Sequence, residues 1–187
     1  MVHFARWASP KSHTLPVHPM ICPNILRSTI TPAMAMLPAA MDSAQARVML
    51  LAIGLQESRL TARCQIVNGG GKGPARGLWQ FERGGGCAGI VRHEASRFWT
   101  AEVCKARNVE FSAAGIWGAL ETDDILAAAC ARLLLFTDAK ALPAIGDEQG
   151  AWALYAYRCW RPGKPHPETW PANYAAAVDA VNAAKDN

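Results

Sequence analysis

The chain has 187 residues, 51% of them hydrophobic and 18% charged. That length and balance predict one domain around a single buried core and exclude a disordered polymer. A formal net charge of +4 with no clustered Lys/Arg helix argues against nucleic acid and suits an anionic polymer. No apolar run approaches the ~20 residues a bilayer needs, so no membrane span is expected. Six scattered cysteines with no Cys-x-x-Cys pair give no support to a zinc site. No secretory signal is visible, so they are expected as free thiols, with Cys130 the clearest core candidate.

Residues 1–41 contain no Asp or Glu and hold half of the twelve prolines. Their order does not suit a signal peptide. The expectation is a disordered extension over 1–28, with Met20 as a plausible true start, and a single domain over 29–187. Within that domain, residues 30–41 suit a short helix with Pro32 in its first turn.

From Asp42 the chain reads as helix after helix. Asp42-x-x-Gln45 resembles a capping box. The helix behind it, running to about Glu57, is apolar on all sides and so should be fully buried. Cys64–Val67 is the best minor strand. Residues 68–73 and 84–86 read as flexible loops. Residues 88–107 suit an amphipathic helix or a broken pair, with Val91, Ala95, Phe98 and Val103 on its apolar side. Ser112–Leu120 suits a short helix. Asp123 and Asp124 complement the dipole of the helix that follows to Phe136. Asp147 should cap 148–159. Pro171 opens a last helix with Tyr174, Val178 and Val181 on one face. The fold class expected is mainly α, with at most a minor β element.

Glu57 is the most informative residue. It ends the most apolar helix, where desolvation disfavours the charged form. Such an acid holds its proton near neutral pH, as a proton donor to a glycosidic oxygen must. About twenty residues on, Gly73-Pro-Ala-Arg-Gly-Leu-Trp-Gln-Phe81 is a loop whose backbone can approach a ligand closely.

Glu57-Ser58 followed by Gly77-Leu78-Trp79-Gln80 resembles the signature of the soluble lytic transglycosylases and related lysozyme-like muramidases. A third segment of that family, Ala-Tyr-Asn-Ala-Gly, is matched in part by Ala156-Tyr157-Arg158-Cys159-Trp160, without the Asn and first Gly. The resemblance spans roughly residues 43–181. Trp160 to Trp170 with Asn173-Tyr174 is similar to a bacteriophage or prophage branch. It implies a lysozyme-like helical domain and Glu57 as catalytic acid and base on peptidoglycan glycan strands. It also implies action on the periplasmic wall or within a phage particle, by a protein made in the cytoplasm. A monomer needing no cofactor or metal is expected.

By the same resemblance, Ser58 orients substrate or the carboxylate; alternatively it bonds its own helix backbone. Gln80 would bond a sugar N-acetyl or hydroxyl group, or face solvent. Trp79 would stack on a sugar or fill the core. Tyr157 would lie beside Glu57, with Tyr155, two residues away, as its rival. Trp160 and Trp170 would wall the groove or clamp the Pro-rich loop between them. Glu82 is a candidate second carboxylate, which an ordinary hydrolase would use and a transglycosylase would not. A catalytically silent wall-binding or virion protein is the alternative outside enzymes. Gly69–Gly73 lacks the Ser/Thr of a phosphate loop, His93-Glu94 lacks the second His of a zinc protease, and no Gly-x-Ser-x-Gly elbow occurs.

Overall fold

The computed structural model describes residues 20–67 and 69–185; most of the extension expected over 1–28 lies outside them. Its last part does not behave as expected. Helix α1 (Ile21–Ile25), a wide π turn (Leu26–Ile30) and α2 (Thr31–Met34) form one helical run. Cys22, Leu26, Ile30, Ala33 and Met34 recur on one face and enter the core. Four-residue spacing is what a single buried stripe requires, so the domain begins before residue 28. The run also stops earlier than 41: a separate 3₁₀ turn (Ala39–Met41) follows Pro38. Pro32 has no N–H to donate, and the widened turn just before it bonds Thr31 N–H to Leu26 O, five residues back.

Helix α3 (Ala44–Ser58) is the central pillar, buried without interruption from Val48 to Leu55. Its cap is Ser43, which accepts from Ala46 N–H at 3.1 Å, and not the Asp42/Gln45 box. Asp42 is instead occupied by Arg47, with both oxygens taking guanidinium N–H groups at 2.7 Å. The helix stops where Arg59 and Leu60 turn left-handed at φ 57° and 55°.

A three-stranded antiparallel sheet follows, β1 (Cys64–Ile66), β2 (Lys72–Arg76) and β3 (Phe81–Glu82), in that spatial order. The middle strand and β3 replace what reads as loop in the sequence. Lys72-Gly-Pro-Ala-Arg has little strand propensity, and Pro74 cannot donate to a ladder. The register between β1 and β2 is irregular between Cys64 and Ile66, which lets a proline sit in a central strand.

The glycine run is likewise ordered as a wide helical turn (Arg83–Cys87) leading into α4 (Ala88–Arg92). A Cβ on Gly86 would come within 2.6 Å of Phe81, so this turn can lie on the sheet only with glycine there. Extended His93 breaks α4 from α5 (Glu94–Ala106). The buried face of α5 is Ser96, Thr100, Val103 and Cys104, whereas Phe98 is 60% exposed. Ser96 and Thr100 stay buried because both hydroxyls bond Ile90 O.

Helices α6 (Ala113–Ala119), α7 (Asp124–Phe136) and α8 (Glu148–Ala153) carry side-chain caps at Ser112, Asp123 and Asp147. A further π turn (Leu154–Cys159) extends α8. Helix α9 (Trp170–Ala183), opened by Pro171, packs along α3 and buries Tyr174, Ala177 and Val181. The architecture is mainly α with a minor sheet. All six cysteines are free thiols, and Cys130 is fully buried. No helix among the described residues is long and apolar enough to cross a membrane.

Candidate functional site

Glu57 stands at the last turn of α3, where the pillar's apolar body meets a cleft of about 1230 Å³. That exceeds the 300–1,000 Å³ typical of small-ligand pockets and suits a chain of linked units. One stretch of wall is Gln80, Phe81 and Glu82 from the sheet end. The glycine turn and α4 continue it, and the loop from Trp160 to His166 completes the lining.

Tyr155 donates its hydroxyl to Glu57 Oε1 at 2.9 Å. Oε2 has no hydrogen bond among the described residues and is the atom left for a ligand. Burial pushes the Glu57 pKa up to about 7; the Tyr155 hydrogen bond opposes this and the Glu82 charge adds to it. Burial, with Glu57 beside it, holds the Tyr155 phenol well above its ordinary value, so it remains a donor throughout. The ring cannot wander. It stacks on Trp170 at 5.1 Å with planes 6° apart, leans on Trp152, and Trp170 stacks in turn on Tyr174.

Tyr157, the tyrosine expected beside Glu57, is 67% exposed and contacts Trp152 instead. The apolar set Ala151, Leu154, Tyr155 explains why: an i, i+3, i+4 stripe turns Tyr155 inward and leaves Tyr157 outside. That stripe was the signal in the sequence, and it outweighs the motif position.

Ser58 and Trp79 do not reach the cleft. Ser58 is buried, donates to Gly54 O and to Leu78 O at 2.6 Å, and accepts from Leu60 N–H. Its hydroxyl ties the end of α3 to the following turn, as the backbone-bonded alternative expected, and Ser58 is not among the cleft-lining residues. Trp79 is fully buried and donates to Leu50 O at 2.8 Å, so it is core and not a stacking platform. Gln80 does line the cleft. Its amide N–H₂ bonds Gly77 O and Ala62 O, which aims the side chain and leaves its own oxygen as the acceptor. Gly77 makes this turn at φ 73°, where a Cβ would lie 2.9 Å from Leu120 O.

The two tryptophans of the Pro-rich loop divide the roles expected of them. Trp160 lines the cleft, donates to Trp79 O and meets Phe81 edge-on. Trp170 is buried beneath Tyr155. Gln56 gave no sequence signal beyond being a polar residue in an apolar helix, yet it anchors the loop. Its Nε2 donates to Pro165 O and His166 O, and its Oε1 accepts from Thr169 and Asn173. No cluster of three His, Cys, Asp or Glu placed for a metal occurs among the described residues.

Removing the Tyr155 hydroxyl isolates its effect. A hydrogen bond to a charged group contributes about 1.5–3 kcal/mol, so Tyr155→Phe is expected to raise the Glu57 pKa by about one unit or more. Tyr157→Phe should leave it unchanged. A carboxyl-carbon NMR titration of both variants checks this, and an unmoved Glu57 in Tyr155→Phe would count against the pairing.

No protein-family model, no curated protein and no solved structure matches the chain.

Proposed function

We propose that the chain is a lysozyme-like muramidase that cuts the MurNAc-GlcNAc bond of peptidoglycan by lytic transglycosylation. The observation that carries this reading is Glu57: one carboxyl group with a pKa pushed up to about 7, oriented by Tyr155 and lining a cleft of about 1230 Å³. Its proton passes to the leaving glycosidic oxygen as the bond to C1 breaks. The resulting carboxylate then takes the proton of the substrate's own hydroxyl on carbon 6 as that oxygen bonds C1. Gln80 supplies an acceptor, and Phe81 and Trp160 an apolar wall. The chain would meet its polymer in the periplasm or as part of a phage particle.

Glu82 supports a second reading. It lines the same cleft and its charge reaches Glu57, so a hydrolytic lysozyme with two carboxylates is the rival. Its exposed place on the short β3 strand favours a solvated role. Purified peptidoglycan digested by the parent should release anhydro-ended fragments by mass spectrometry, and Glu82→Gln should retain most of that activity. Reducing-end products, together with loss of lysis in Glu82→Gln, would move the protein to the hydrolases. Release of nothing by the parent would favour a silent wall-binding protein.

A further inference from the structure

The cleft carries more positive charge than acid–base chemistry at Glu57 needs. Four cationic side chains line it: Arg92, Arg158, Arg161 and Lys164. Arg158 is committed to Asp138, with Nε 3.1 Å from Oδ2, although its buried Nε and Nη2 make no aligned hydrogen bond. Arg92, Arg161 and Lys164 are exposed, and their side chains have no ion pair or hydrogen bond among the described residues. Against them stand Glu82 and the partly ionised Glu57, since Asp138 faces Arg158.

Two of these cations ride on a segment that is held in place. Arg161 sits at φ 48°, an uncommon conformation for a residue with a Cβ, and its N–H bonds Tyr155 O at 3.0 Å. Gln56 grips Pro165 and His166 just beyond Lys164. The backbone that carries both charges is therefore anchored to Tyr155 and to the neighbour of Glu57. Arg92 reaches the same space from the end of α4. Unpaired cations around a cleft attract and retain anions.

Resting on the muramidase reading, we propose that Arg92, Arg161 and Lys164 bind carboxylates borne by the glycan strand, so the site selects an acidic glycan over a neutral amino-sugar polymer. Those carboxylates have two sources, the lactyl group on the sugar and the stem peptide attached to it.

The test is binding, read apart from cleavage. Soluble glycan strands are prepared intact, stripped of peptide so that only the lactyl carboxylate remains, and with all carboxyls converted to amides. Dissociation constants are measured for the parent, for Arg92→Gln/Arg161→Gln/Lys164→Gln, and for the control Arg27→Gln/Arg97→Gln/Lys105→Gln. The control loses the same charge at exposed positions that do not line the cleft. All three proteins are first matched by thermal melting. Amidation should weaken the parent and the control about tenfold and the cleft variant hardly at all. Stripped strands that bind like intact ones assign the lactyl group; stripped strands that bind like amidated ones assign the peptide. Equal losses in all three proteins, no loss in any, or no measurable binding would overturn the proposal. Charge-dependent binding without strand cleavage would keep it and sink the muramidase reading instead.

Discussion

Glu57→Gln should abolish release of fragments from peptidoglycan while making the folded protein more stable above neutral pH. The two halves have one cause. Gln keeps the size of the side chain but has no proton to give, and general acid catalysis contributes roughly 10²–10⁴-fold. The stability gain follows from linkage. Glu57 titrates near 7 when folded against 4.5 for an ordinary Glu, so the folded state binds the extra proton between those values. Stability contributed by the neutral acid is intact below about pH 4.5, is lost as pH rises to 7, and stays lost above. Over about 2.5 units, the ceiling on that loss is about 3 kcal/mol, and partial exposure makes the real value smaller. Chemical denaturation at pH 4 and pH 8 measures it. A variant that lyses like the parent removes Glu57 from the chemistry. A variant no more stable at pH 8 than at pH 4, relative to the parent, removes the desolvated acid.

Trp79→Ala should cost about 3–5 kcal/mol, as expected for deleting a large, fully buried aromatic side chain. The Leu50 carbonyl inside α3 would also lose the indole N–H that it accepts. Trp79→Phe should recover part of the packing and none of that bond. Denaturant unfolding gives the magnitudes, and strand binding by the folded fraction should be unaltered. A Trp79→Ala protein of parental stability that no longer binds glycan would restore the sugar-stacking role and contradict the burial.

Much of this was legible before the structure. The unbroken apolar run of α3 and the acidic or hydroxyl residues at 112, 123 and 147 are local signals, and each element formed where they pointed. The acid at the end of α3 was legible from the apolar run that precedes it, whereas the hydrogen bond from Tyr155 and the charge of Glu82 come from residues distant in sequence and were not. What failed was set by distant partners. β2 is a strand because β1 and β3 pair with it, not because Gly-Pro-Ala favours extension. Ser58 and Trp79 sit in motif positions but are consumed by backbone groups of Leu78 and Leu50. The motif position points to Tyr157, but that segment widens into a π turn and Tyr155 takes the place beside Glu57.

The grip of Gln56 joins the Pro-rich stretch of the cleft lining to the residue next to Glu57 in the chain. Were that stretch drawn away so that water reached the carboxyl, Glu57 would return toward its ordinary acidity and release a proton near neutral pH. Proton uptake at Glu57 and retention of the Gln56 bonds would then favour one another, and a loss of either would be felt as a loss of the other.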